Sequence, residues 1–281
     1  MTQEMLSANG AALTIFFNGP NWQGVSSATI GNVSFKDQAA GTALLAQAIE
    51  KLRKAGHTRV LGPMAGDTWH SYRFVSQTDG SPPFLLEPAN GNLEPEIFER
   101  AGFKPVAHYF SAKMALAKAG LSPPPPTDAF EIETWDGSDP ESLFRQVFAL
   151  SSSAFAGNAF YTPITETDFV AMYMPVVPVI KRELIFFARR PDGSLAGYLF
   201  AIPNFAEGPQ TKTIILKTYA SAERGAGRHL VHACHAAAHK MGFETVIHAL
   251  IHDDNVSAER SRTEGGEIFR RYRLLGLRLD V

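Results

Sequence analysis

Arg224-Gly225-Ala226-Gly227-Arg228-His229 and, earlier in the chain, Gln38-Ala39-Ala40-Gly41-Thr42-Ala43 carry one pattern, Gln/Arg-x-x-Gly-x-small-or-polar. Each copy follows a strand-like run and opens an amphipathic helix. Those helices end at Gly242 and Gly56, and each leads into another strand. A strand that feeds a helix through a glycine-containing turn leaves the first helical N–H groups without intrahelical partners. They form a ready seat for a pyrophosphate. Either turn alone reads equally well as a tight connection that needs glycine for its backbone. The duplication is what favours the phosphate reading.

Leu121-Ser122-Pro123-Pro124-Pro125-Pro126-Thr127-Asp128 separates the copies. Four consecutive prolines join neither a helix nor an inner strand and favour an extended spacer. The expected organisation is therefore a domain over 1–120, a linker over 121–128 and a domain over 129–281. Before the linker, 12–17, 26–35, 58–61 and 106–114 read as strands. Helices are expected over 40–55, where Leu44, Leu45, Ala48, Ile49 and Leu52 recur at helical spacing, and over 95–101. A long insertion over 62–92 holds Trp69, His70, Tyr72 and Arg73, which either line a pocket or pack against one another. After the linker, strands are expected over 130–135, 183–189, 195–202, 211–219, 245–252 and 277–279. The predicted helices there are 139–155, 165–174, 227–241 and 266–274. Asp192-Gly193 marks a hairpin. Alternating helices and strands predict an α/β, or α+β, mixed sheet with helices on its faces.

At 281 residues, two domains can each bury a core. A hydrophobic share of 45% with 19% charged residues fits a soluble globular protein. The net charge of −2 gives no basic bias, so nucleic acid is not an expected partner. Cys234 is the only cysteine, which rules out an intrachain disulfide or a cysteine metal cluster. The first ten residues lack the pattern of a secretory signal, and the longest apolar run, 172–180, is broken by Pro175 and Pro178. A cytoplasmic protein with no membrane partner is expected. His232, His235 and His239 share a helix face, but no Glu accompanies them as a zinc protease requires. A polar face is the plainer reading, and no metal is expected.

The order strand, Gln/Arg-x-x-Gly-x-Gly/Ala turn, helix, strand, and a last helix with Tyr four residues before Gly resembles the GNAT superfamily of acyl-CoA N-acyltransferases. The resemblance covers both halves and implies two GNAT-like domains in tandem. It implies acetyl-CoA or another acyl-CoA as co-substrate, held at its pyrophosphate by Arg224, Gly225, Ala226, Gly227, Arg228 and His229. His229 stands where the family has Gly or Ala, and its side chain either crowds the phosphates or points away. The strand ending in Lys217, Thr218 and Tyr219 would lend backbone groups to the pantetheine arm, and Asn255 would contact the coenzyme. Tyr272, four residues before Gly276, takes the place of the family's proton donor to the leaving thiolate. About ten extra residues separate it from Asn255.

In the first half, Gln38, Gly41 and Ala43 match the turn, but Phe98 holds the tyrosine's place before Gly102-Phe103 and has no proton to give. That half is shortened, without the opening strand and two helices of the acceptor side, and is read as degenerate. The base for the acceptor amine is not evident. His248 and His252 lie on one side of their strand and either serve there or are structural. The resemblance implies direct acyl transfer to a small-molecule or peptide amine, catalysed in the second half with Tyr272 and His252 as candidates. The other reading is a non-catalytic acyl-CoA-binding or regulatory module. A homodimer is among the assemblies open to it.

Overall fold

The computed structural model describes residues 2–119, 123–263 and 265–280. The strands and helices run, in chain order, β1 (Gln3–Ala8), β2 (Ala11–Phe16), β3 (Asn21–Trp22), β4 (Val25–Ser26), β5 (Ala28–Phe35), α1 (Gln38–Lys54), β6 (Arg59–Gly62), β7 (Phe74–Thr78), α2 (Leu93–Arg100) and β8 (Lys104–Ala115). They continue with β9 (Glu131–Thr134), α3 (Pro140–Phe155), α4 (Glu166–Tyr173), β10 (Ile185–Arg189), β11 (Leu195–Pro203), β12 (Thr213–Ser221), α5 (Ala226–Lys240), β13 (Thr245–His252), α6 (Val256–Thr263) and β14 (Glu267–Arg278). The architecture is mixed α/β, as the alternation of periods predicts. None of the described helices is long and apolar enough to cross a membrane.

Two compact units divide the chain. The first holds Met1–Phe110, Asn158–Thr162 and Arg270–Val281; the second holds Ser111–Gly157 and Pro163–Phe269. The division does not fall at the proline run. β8 is shared at Phe110 and Ser111, β14 at Phe269 and Arg270, and most of the chain's last strand serves the first unit.

In the first unit the strand order is β1-β2-β5-β6-β14-β8, with β7 also on β14. β5 and β6 are parallel, and β14 runs antiparallel to β6 from Leu275↔Gly62 to Arg278↔Arg59. α1 forms because its apolar residues recur every three or four positions. Leu44, Leu45, Ala48, Ile49 and Leu52 are all buried, against Leu13, Ile15, Ile30 and Phe98. Each such leucine contributes roughly 1.5–3 kcal/mol by leaving water. β1 and β7 are strands that sequence reading left out; β1 buries only Leu6, so its pattern carries little signal.

In the second unit the order β13-β12-β11-β10-β9 is antiparallel except for the parallel pair β12–β13. The core lies between this sheet and α5, around Leu199, Ile214, Leu230, Val231, Cys234 and Val246.

The segment 266–274, expected as a helix, is part of strand β14. Arg270, Tyr272 and Leu274 are buried and alternate with half-buried Arg271 and Arg273, a period of two. Pairing with β6 and β7 covers the strand, so a charged, aromatic sequence with no apolar alternation is still extended. The helix that follows β13 is α6, in the stretch that looked like extra residues.

Candidate functional site

The parallel ladder of β12 and β13 runs from Thr213↔Thr245 to Leu216↔His248 and stops there among the described residues. Both strands change course at that point. On β12, Lys217 is an extra residue, since Ala201 faces Leu216 and Phe200 faces Thr218. Such a bulge bends a strand and sharpens its twist. On β13, Leu250 has φ 58°, an uncommon conformation for a branched residue, and its N–H donates to Ser111 Oγ at 3.0 Å. The result is a split in which Thr218–Ser221 pair on the β11 side. Lys217, Thr218 and Tyr219 are each half-buried along it.

The first unit repeats this device and then fills it. β5 and β6 pair at Ala28↔Val60 and Thr29↔Leu61, and β5 bulges between Gly31 and Ser34, with Asn32 at φ 51°. The chain leaving β6 stays beside β5: Met64 N–H donates to the Ile30 carbonyl (2.8 Å), and Gly66 N–H to Thr29 Oγ1 (3.2 Å). A Cβ on Gly31 would fall 2.5 Å from the Met64 carbonyl oxygen.

The two turns differ in charge. Before α5, Gly225 adopts φ 92°, has no side-chain cap, and faces open space where a Cβ would stand. Gly227 and Ala226 are buried in the first turn of α5, while Arg224 and Arg228 are exposed. Ala226 N–H donates to the Glu223 carbonyl (3.3 Å) and Arg228 N–H to the Gly225 carbonyl (2.9 Å). What favours an anion here is therefore the helix dipole with no carboxylate at the N-cap. His229 stays beside that turn, its Nδ1 3.2 Å from the Gly225 carbonyl. Its Nε2–H donates to the Pro125 carbonyl (2.9 Å), and its ring meets Phe130 edge-on at 5.1 Å. Before α1, by contrast, Asp37 Oδ1 already accepts the Ala40 N–H at 2.9 Å. A second anion would meet that carboxylate. Gly41 is a packing residue: a Cβ there would lie 2.6 Å from Ile97 and 2.7 Å from Phe35. Gln38 and Ala43 are exposed.

Polar groups line α6. Tyr219 hydroxyl and Ser257 Oγ are 2.5 Å apart, and Asn255 Oδ1 accepts the Ser257 N–H (3.0 Å), so Asn255 caps α6. Ser261 Oγ meets His248 Nδ1 at 3.2 Å, and His248 Nε2 lies 3.5 Å from His235 Nε2, with the two rings stacked. His235 is 2% exposed, and its Nδ1 has no hydrogen-bond partner among the described residues. Burial, with neighbouring His248 and His232, pushes its pKa down to about 3. Burial likewise pushes the Cys234 thiol up to about 12. Among the described residues no group of three or more His, Cys, Asp or Glu is arranged to hold a metal ion. At the end of β13, His252 Nδ1 accepts the Asp254 N–H at 3.1 Å. A neutral ring so engaged carries its proton on Nε2 and is a donor there.

Tyr272 is not on a helix, and it is fully buried in the first unit. Its hydroxyl donates to Glu87, whose carboxylate also accepts from Arg270 Nη1; Arg270 Nη2 donates to the Ser81 carbonyl. The structure therefore assigns Tyr272 and the turn at Gly225 to different units. On α6 the residue four before Gly266 is Arg262, which is exposed, and on α2 the residue four before Gly102 is the buried Phe98. The insertion packs against its own unit: Asp67 Oδ1 accepts from Trp69 N, His70 N and His70 Nδ1, and Arg73 lies between the rings of Tyr72 and Tyr109 at 3.8 and 4.1 Å. Bulge positions were the signal missed; they become visible only once the registers of both flanking strands are known.

No protein-family profile matches the chain, and no curated protein matches it in sequence. Solved structures do. A GCN5-related N-acetyltransferase from Sphaerobacter thermophilus superposes with a TM-score of 0.56 at 14% identity, covering 96% of this chain and 76% of that one. A tandem GNAT protein from the clavulanic acid biosynthesis pathway gives 0.56 at 15% identity, over 96% and 79%. A GCN5-related N-acetyltransferase from Anabaena variabilis gives 0.57 at 10% identity, over 95% of this chain and 59% of that one. At such identities the likeness is one of fold. Over nearly its whole length, the chain has the fold of the GCN5-related N-acetyltransferases.

Proposed function

We propose that this chain is an acyl-CoA-dependent N-acyltransferase whose coenzyme is held by the second unit. One observation carries the choice of unit: the β12–β13 split leads to a helix N-terminus whose cap, Gly225, places no carboxylate there, whereas the β5–β6 split is filled and its helix is capped by the Asp37 carboxylate. An acyl-CoA brings an acyl group, acetyl foremost, activated as a thioester. The residues around it bind and orient. The N–H groups of the Gly225 turn, with Arg224 and Arg228 beside them, take the pyrophosphate. The backbone of Lys217–Thr218–Tyr219 takes the pantetheine arm as an added strand would, and an N–H at the bulge polarises the thioester carbonyl. The acceptor amine, once neutral, bonds to the carbonyl carbon as the carbon–sulfur bond breaks; its nitrogen sheds one proton and the departing sulfur takes one up, leaving the amide and the free thiol. Because Tyr272 is committed to Glu87, His252 Nε2–H is proposed to steady the departing sulfur as a hydrogen-bond donor, while the proton comes from the amine nitrogen.

A second reading is a binding or regulatory module without turnover. What favours it is that neither helix carries a tyrosine four residues before its glycine: Phe98 and Arg262 stand there. Calorimetry with acetyl-CoA, followed by thiol-release assays over a panel of amines, separates the two. Amine-dependent release supports the transferase, binding without release on every amine supports the module, and no binding overturns both.

A further inference from the structure

Two hydroxyls meet across the β12–β13 split. Tyr219 leaves β12 two residues beyond the bulge at Lys217, and Ser257 sits in the first turn of α6, the helix that continues from β13. Their oxygens are 2.5 Å apart. Ser257 is fixed from behind by its N–H to Asn255 Oδ1. One turn further along α6, Ser261 reaches His248 on β13. Residues four apart lie on one helix face, so α6 is tied by one serine to each of the two diverging strands. Of its described side chains only Ala258 and Ser261 are buried. A short helix with so little apolar burial opens at low cost.

Carbon atoms in contact need about 3.5–4 Å each way, so no alkyl chain passes between two oxygens 2.5 Å apart. We propose that the Tyr219–Ser257 hydrogen bond is a latch that bars the split to the arm of an acyl-CoA until the first turn of α6 releases it. The inference rests on the reading that this arm lies along β12. With a latch, only the released fraction of molecules is competent to bind, and the apparent affinity is reduced by that fraction. Asn255 then acts on the coenzyme indirectly, by holding the latch serine.

The test is rapid-mixing measurement of acetyl-CoA association with the full chain, in Ser257→Ala, Tyr219→Phe and the double variant, with Ser257→Thr retaining a hydroxyl. Each single change should speed association about threefold to tenfold, the range set by one net hydrogen bond. The double variant should gain no more than the larger single, since both remove one interaction. Ser257→Thr should keep the original rate. Association that is unchanged or slower in the singles, or gains that add in the double, overturns the latch. If the unaltered chain fails to bind acetyl-CoA at all, the acyl-CoA reading falls and the latch with it. If Ser257→Ala loses structure, Tyr219→Phe, which keeps the ring, decides.

Discussion

His235 makes the second unit sensitive to acid. Its pKa is about 3 when folded, against an ordinary 6.5. Between those values the unfolded chain takes up a proton that the folded chain refuses. This contribution to stability is therefore whole above pH 6.5 and is lost as pH falls, by up to about 1.4 kcal/mol per pH unit. Urea midpoints at pH 7.5 and pH 5 should show the decline, and His235→Gln should flatten it. Equal slopes in both proteins would assign the decline to other groups. Tyr272 is the other residue whose surroundings decide its part. Its hydroxyl donates to the buried Glu87 carboxylate, which also accepts from Arg270 Nη1 and the Phe84 N–H. Tyr272→Phe should destabilise the first unit by about 1–3 kcal/mol, read as a lower melting temperature. Lost turnover with an unmoved melting temperature would return Tyr272 to the chemistry.

Among the elements, α1 and α5 were legible because an amphipathic helix carries its own partner pattern, and the turns before them were found by repetition. The difference between the turns lay in the side chains: Asp37 caps one with a carboxylate, and at the other His229 bridges the Gly225 carbonyl and that of Pro125, 104 residues away in sequence. β14 was misread for a related reason. Arg270 pairs with Glu87, 183 residues away, so nothing local marks a buried strand. Gly225→Asp is the matching test. Asp tolerates the left-handed region better than most residues, and the space is open. The new carboxylate should cut acetyl-CoA affinity at least about tenfold in a folded protein, by repulsion and lost N–H groups. Asp37→Asn should leave that affinity as it was. Calorimetry giving the opposite pair of results would move the coenzyme to the first unit.

For the whole molecule, the proline run announced two domains, yet the last strand of the chain completes the sheet of the first unit. Leu275 is fully buried in that core. Truncation after Phe269 should therefore unfold the first unit, seen as lost near-ultraviolet dichroism and rapid proteolysis within residues 2–110. A first unit that stays protected would show β14 to be dispensable. Composition and periodicity reveal such an exchange of strands poorly, because strand partners are chosen by register and burial and not by nearness in sequence. The central claim, that one of the two repeated turns holds an acyl-CoA and that it is the second, comes down to stoichiometry. Titration calorimetry of the full chain with acetyl-CoA should give one site per chain, and that site should vanish in Gly225→Asp. Two sites per chain, or one site that persists in Gly225→Asp, would contradict it.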